Sequence, residues 1–217
     1  MARTVASMRI TKFGHACVRI EHDAHVVVID PGSFTDREAV DGATAVLVTH
    51  EHFDHYDLGH LSAADAPVFT IGAVAEQIRA DSPEVAERTT VVTPGESFDV
   101  GLPVTAVGEK HAVIHPSFPG FCNSGYVVTA GEESVFHPGD SFELPGRPVD
   151  VLLAPVSGPW LKLAETLDFA KAVGAPRTLA IHDRILSDIG LGMLDGRMEG
   201  FLEGVGTYHR VADGADL

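Results

Sequence analysis

Apolar residues along the chain follow two periods. Near the N-terminus, "MRITKFG", "HACVRIEH" and "HVVVIDPG" are short apolar stretches divided by turn residues, which predicts strands. "TAVLVTH" is almost continuously apolar and predicts a strand buried on both faces. "AVAEQIRAD" changes to helical spacing and is made of good helix formers. "RTTVVTPG", "ESFDVG" and "PVTAVG" return to strand character with Pro and Gly between them. In the second half, "GYVVTA" and "ESVFHPGD" predict a hairpin joined by "GEE". "VDVLLAPV" predicts a buried strand, "LAETLDFAKAVGA" a helix, and "RTLAIHD" a strand ending in histidine. A last helix is expected over "GRMEGFLEGVG", weakened by its glycines. Each half runs strands first and then alternates strand and helix, with no linker and no residue-level repeat. The order implies one layered α/β domain over residues 1–217, with sheets packed together and helices outside.

Composition narrows this little. A chain of 217 residues with 45% hydrophobic and 21% charged residues can bury a large core. No apolar run approaches the roughly 18–20 residues of a membrane span. The N-terminal "MARTVASMRITKF" lacks the apolar centre of a secretory signal, so a cytoplasmic location without membrane attachment is expected. The charge balance excludes more. With 31 acidic against 15 basic residues and a net charge of −16, nucleic acid is not an expected partner. Cys17 and Cys122 form no C-x-x-C pair and read as free thiols.

The candidate chemistry sits at strand ends. Asp30 ends "VVVID", His50 ends "AVLVTH", His111 follows "VTAVGEK", Asp140 ends "SVFHPGD" and His182 ends "TLAIH". Loops at strand ends are where rigid scaffolds carry sites. "HEHFDH", residues 50–55, is the densest of these. On extended backbone His50 and His52 face the same side and could hold one ion. Asp54 and His55 follow at a turn and could face a second. Zinc is held by imidazole nitrogen and carboxylate oxygen in four-coordinate sites, which six residues cannot complete twice. His111, Asp140 and His182 are the candidates for the remaining ligands. His115, four residues beyond His111 in "EKHAVIHP", competes with it, and His111 is favoured because it follows the strand directly.

"HEHFDH" resembles the H-x-H-x-D-H signature of the metallo-β-lactamase-fold superfamily. "IDPG" at 29–32, the histidine at 111, "HPGD" at 137–140 and "AIHD" at 180–183 agree in order. "FGHACVRIE" and "NSGYVV" are similar to a branch that includes the ascorbate-6-phosphate lactonases. The resemblance spans residues 10–183 and implies a four-layer αββα sandwich with two divalent metal ions in a cleft at its top edge. By that pattern His50, His52 and His111 hold the first ion, Asp54, His55 and His182 the second, and Asp140 bridges them. Asp30 is implied to hold the motif loop by hydrogen bonds. His52 stands where the fold's di-iron oxygen reductases carry Glu, which favours zinc, although Mn and Fe also suit His/Asp sites. Asp140 stands where the narrow β-lactamases carry Cys, which disfavours antibiotic hydrolysis.

The implied chemistry is attack by a metal-bridging hydroxide on a carbonyl or phosphoryl centre, with Asp54 as the catalytic residue that orients the nucleophile or relays its proton. Two divalent ions, two carboxylates and a hydroxide leave about one net positive charge. The expected partner is therefore a small-molecule substrate, an anionic ester, lactone or phosphodiester. A homo-oligomer is left open. Two other readings stand beside it: a metal-binding sensor without catalysis, and a mononuclear iron thiol dioxygenase. "HEHFD" fails the H-E-x-x-H pattern because Asp54 occupies the second histidine's place. His15 in "GHAC" reads as structural or cleft-lining, and His137 as strand packing. Glu51 reads as solvated. Ser157, Trp160 and Lys162 precede a helix and are candidates for the substrate cleft.

Overall fold

A computed structural model describes residues 8–217, so residues 1–7 of the stretch read for a secretory signal lie outside the described residues. The first sheet is built from β1 (Arg9–Lys12), β2 (Val18–His22), β3 (His25–Ile29), β4 (Ala45–Val48), β5 (Val68–Thr70) and β6 (Thr89–Val91), in chain order. The second is built from β7 (Ser97–Asp99), β8 (Pro103–Val107), β9 (Gly125–Ala130), β10 (Glu133–His137), β11 (Val151–Pro155), β12 (Arg177–Ile181) and β13 (Thr207–His209), also in order. Each sheet starts antiparallel and becomes parallel, from β3 onward in the first and from β10 onward in the second. The strand grammar shared by the two halves of the sequence is this repeated architecture.

Successive strand residues point to opposite faces, and both faces are covered. Val27, Ile29 and Leu47 of the first sheet meet Val128, Val151 and Leu153 of the second in a central apolar slab. On the outer face of the first sheet, Val28, Val46 and Val48 pack with Leu61, Val74 and Ile78. These come from α1 (Leu58–Ala64) and α2 (Gly72–Asp81), and α3 (Pro83–Glu87) adds Val85. On the outer face of the second sheet, Leu152 and Ala154 pack with Phe169 of α4 (Leu163–Val173) and Leu194, Met198 and Leu202 of α5 (Asp188–Leu202). The αββα sandwich explains why "AVLV" and "VLLAP" lack alternation: neither strand has a solvent face.

Three differences from the sequence reading have physical causes. The three-residue strands β5 and β13 are too short to show a period. α1 and α3 are also short and are defined by their caps, Asp57 accepting from the His60 N–H and Ser82 from the Val85 N–H. α5 starts eight residues before "GRMEG", at Asp188, with Ser187 accepting the Gly190 N–H. Leu194, Met198 and Leu202 recur every fourth position and are buried, whereas Gly192, Gly196 and Gly200 border open space. Burial of that stripe outweighs about 1 kcal/mol per glycine of lost helix propensity. Among the described residues no helix is long and apolar enough to cross a membrane.

The C-terminal tail closes the fold against β1. The Leu217 N–H donates to the Ile10 carbonyl at 2.9 Å, and Thr11 and Asp216 form a bridge. Beneath it Lys12, 2% exposed, puts its ammonium 3.0 Å from Asp183 and 2.9 Å from Asp213. Asp183 directly follows His182, so this pair ties the first strand to the edge that bears the site. The Lys12→Ala variant strands the Asp183 charge and is expected to lose about 3 kcal/mol of unfolding free energy in urea titration. A change within about 0.5 kcal/mol, the level of an ordinary surface substitution, would show that the pair holds nothing.

Candidate metal centre

β3 and β4 run parallel, and so do β10 and β12, with β8 pointing the same way as β10. Their C-terminal ends carry Asp30, His50, Asp140, His182 and His111, and these meet at one edge of the sandwich. Asp30 is fully buried with a left-handed backbone, φ 53°. Its carboxylate accepts the Thr49 N–H, the Thr49 hydroxyl and the His55 Nδ1–H, each at 2.7 Å. Gly32 in the same turn admits no side chain, because a Cβ there would stand 2.1 Å from the Asp54 carbonyl group.

These contacts set the histidine tautomers. The Thr49 hydroxyl proton goes to Asp30, so its oxygen accepts from His50 Nδ1, 2.9 Å away. Asp30 fixes the His55 proton on Nδ1. His111 Nδ1 donates to the Ala112 carbonyl and His182 Nδ1 to the Ser157 carbonyl, both at 2.5 Å. All four rings therefore turn Nε2 inward. Protein acceptors behind ligand imidazoles in this way orient them and raise their basicity.

The inward atoms converge on Asp140, 2% exposed. His111 Nε2 lies 3.3 Å and His50 Nε2 3.8 Å from its Oδ2. His55 Nε2 lies 3.1 Å and His182 Nε2 3.3 Å from its Oδ1. His52 joins the first set, with its Nδ1 3.1 Å from His50 Nε2. Asp54 joins the second, with its Oδ2 3.3 Å from His182 Nε2 and 4.0 Å from His55 Nε2. Ligands about 2.0–2.1 Å from one tetrahedral ion stand about 3.3 Å from each other, close to these spacings. Yet His55 Nε2, His111 Nε2, His182 Nε2 and Asp140 Oδ1 are buried without a hydrogen-bond partner. Close donors and acceptors that do not bond one another are aimed at a common point. Such a set fits metal ions.

Charge supports the same assignment. Burial alone would raise the Asp140 carboxyl, but His55 and His182 hold it well below the usual carboxylate range. Burial likewise opposes ionisation of Asp54, and the neighbouring His15, His182 and His55 rings pull its pKa down. Burial pushes His50 far down, so it stays neutral. For His182 burial is outweighed by Asp140 and Asp54, which lift its pKa to about 9.

With this geometry in place, comparison with known proteins is decisive. Residues 9–182 match the beta-lactamase superfamily domain. The chain belongs to the metallo-β-lactamase superfamily, among its metal-dependent hydrolases. A Mycobacterium tuberculosis protein, Rv0786c, is similar to it at 35% identity over 88% of this chain and 91% of that one. A metal-dependent hydrolase from Methanosphaerula palustris is 30% identical over 81% of this chain and 83% of its own. The fold is similar to that of Igni18, a metallo hydrolase from Ignicoccus hospitalis, with a TM-score of 0.74, 18% identity and 97% of each chain covered. It is also similar to CmlA, a diiron β-hydroxylase from Streptomyces venezuelae, with a TM-score of 0.71, 16% identity, and 99% of this chain and 54% of that one covered. None of these is an ascorbate-6-phosphate lactonase, so that branch stays an expectation.

Within this superfamily site, His50, His52, Asp54, His55, His111, Asp140 and His182 all come together. His115 does not. It is exposed and bonds Ser117 at 2.7 Å. Glu51, expected in solvent, is half-buried, with Oε2 shielded. His137 packs beside the site, its Nε2 donating to the Ala16 carbonyl. Trp160 lines the cleft, whereas Ser157 is buried and meets His182 through its backbone carbonyl, and Lys162 is the N-cap of α4.

Two residues had no role assigned from sequence, and a third, His15, was read only as structural or cleft-lining. Thr49 links Asp30 to His50. Asn123 accepts the Asp140 N–H at 3.0 Å and donates to the Pro138 carbonyl, which sets the "HPGD" turn. His15 sits against Asp54 and His182, so the three could be taken for a metal-binding group. Its Nδ1, however, accepts the Arg184 N–H, which places its proton on Nε2, 3.5 Å from Asp54 Oδ2. With Nδ1 occupied by the Arg184 N–H, His15 turns a protonated Nε2 toward Asp54, which suits a charge partner of that carboxylate and not a ligand; the Nε2 itself is buried without a hydrogen-bond partner. Only the polar spacing "GHAC" before a strand hinted at it.

Loss of the Asp30 support frees His55 and, through Thr49, His50. The Asp30→Ala variant is expected to bind zinc about 10–100-fold more weakly in chelator competition. Wild-type affinity would show that the buried carboxylate does not tune the ligands. A second expectation follows from the raised pKa values of His55 and His182. In chelator-treated protein both rings carry a proton at pH 7, and a ligand must be neutral to bind metal. Calorimetry in buffers of different ionisation enthalpy should show protons released on zinc binding at pH 7. The contribution of His182 should fade as pH rises through about 9. Binding without proton release at pH 7 would contradict it.

Proposed function

We propose that the chain is a dinuclear hydrolase. His50, His52, His111 and one oxygen of Asp140 would hold the first divalent ion. The other Asp140 oxygen, with Asp54, His55 and His182, would hold the second. One observation carries this reading: Asp140 faces two separate histidine sets with its two oxygens. Zinc is the favoured ion, because the set is imidazole-rich and has no thiolate. When bound, two such ions acidify water and polarise an acceptor oxygen.

The chain's own groups supply orientation and proton handling. Asp54 Oδ2 lies 3.5 Å from His15 Nε2 and 3.3 Å from His182 Nε2, and Asp54, only partly buried, lines the cleft. Its position and low pKa suit it to accept a hydrogen bond from the attacking water and to orient it. Ester, lactone and phosphodiester groups all gain negative charge at the acceptor as they react, which a positive centre favours.

Chelation should abolish hydrolysis of an ester and lactone panel, and added zinc should restore it. The Asp140→Asn variant should retain one metal equivalent or fewer and lose at least ~100-fold in kcat/KM. A chelated protein with unchanged rates, or an Asp140→Asn variant with two metals and full activity, would refute the dinuclear reading. Iron binding with thiol oxygenation and no ester cleavage would favour the dioxygenase instead.

A further inference from the structure

The metal-binding edge opens into a cavity of about 320 Å³. Asp54, Asp140 and His182 form part of its floor. Its walls are Phe34, Phe53, Ile114, Pro159, Trp160 and Ile185, and no lining residue is a lysine or arginine. The neighbouring cation, Arg184, is committed elsewhere: its guanidinium donates to the Phe34 carbonyl and lies 3.5 Å from Asp213. At the mouth, Phe53 and Ile185 are 63% and 54% exposed, two large apolar side chains left facing water. Phe34 meets Phe53 edge to face at 5.5 Å, and Trp160 is braced against Phe142 at 5.3 Å and His111 at 5.6 Å. The walls are therefore apolar and largely aromatic, and the only positive charge a substrate would meet is that of metal ions held at the floor.

We propose that the site takes a neutral carboxylic ester or lactone bearing a compact apolar side chain, which lies along Phe34, Phe53, Trp160 and Ile185. This rests on the hydrolase reading and replaces the expectation that the substrate body is anionic. A phosphate or second carboxylate among these walls would lose its water with no cation to meet it. An apolar chain gains from leaving water there, and a pocket near 300 Å³ suits a small ligand. A neutral ester would also suit a floor loaded with divalent ions, because it becomes anionic at its carbonyl oxygen only as the acyl carbon is attacked. The oxygen of water bonds the acyl carbon, and the ester C–O bond breaks with its electron pair on the leaving oxygen. One water proton ends on that oxygen, and the other is released as the product acid ionises.

The chain's single tryptophan, Trp160, lines the cavity, so its fluorescence reads occupancy whether or not turnover occurs. The test titrates the zinc-loaded protein with neutral γ-lactams carrying ethyl to octyl side chains, and assays the matching γ-lactones for hydrolysis. Lactam Kd and lactone kcat/KM are both expected to improve about two- to fourfold per methylene until the cavity is full. A phosphorylated lactone of equal size should be at least ~10-fold poorer in kcat/KM. Phe53→Ala should flatten the lactam series. Chain-independent binding, or preference for the phosphorylated substrate, overturns the proposal; metal-dependent lactone hydrolysis in that case leaves the hydrolase reading standing. Chain-dependent lactam binding with no turnover of any lactone, nor of any ester in the panel above, upholds the apolar cleft and overturns the hydrolase reading.

Discussion

The buried carboxylate of Asp30 is the contact on which the rest of the site depends. It lies out of water at the end of β3, and three hydrogen bonds, all from the loop after β4, offset its desolvation. Those bonds dock "HEHFDH" against "IDPG" and settle which nitrogen of His55 and, through Thr49, of His50 faces inward. A left-handed residue other than glycine costs roughly 1–2 kcal/mol, and Asp30 adopts that conformation. His182, at the end of β12, does the same with φ 61°. Backbone strain of this kind persists where surrounding structure overdetermines it, and here it coincides with the two strand ends that aim the site.

Asp140 is the complementary constraint. It reaches both histidine sets from the second sheet, so the two halves of the fold must meet in register for either set to be complete. The first sheet supplies His50, His52, Asp54 and His55, and the second His111, Asp140 and His182. The central slab of Val27, Ile29, Leu47, Val128, Val151 and Leu153 holds that register. The order of strands then strand–helix units in each half is what brings these side chains together: parallel strands put their C-terminal ends on one edge.

Much of this was legible in the sequence because the candidate site residues follow apolar runs. "AVLVTH" and "TLAIHD" announce a buried strand and its terminal histidine together. The parts that were not legible depend on through-space contacts. Thr49 and Asn123 are unremarkable residue types whose roles appear only when the loops after β4 and β10 come together. His15 reads from the sequence as structural or cleft-lining, and its place beside Asp54 and His182, with the Arg184 N–H on its Nδ1, depends on the fold. The choice between His111 and His115 turned on which of them is buried beside Asp140. The cleft's apolar walls were equally hidden: Phe34, Phe53, Ile114, Trp160 and Ile185 come from five separate segments, and an acidic composition suggested nothing about them. The early start of α5 was masked by glycines that face open space.

The central claim is that one carboxylate divides two metal sites. Diffraction from zinc-loaded crystals at energies spanning the zinc absorption edge tests it directly. The account predicts two anomalous peaks flanking Asp140, one among His50, His52 and His111 and one among Asp54, His55 and His182. A single peak at full metal loading, or a peak bound by His15 Nε2, would contradict it.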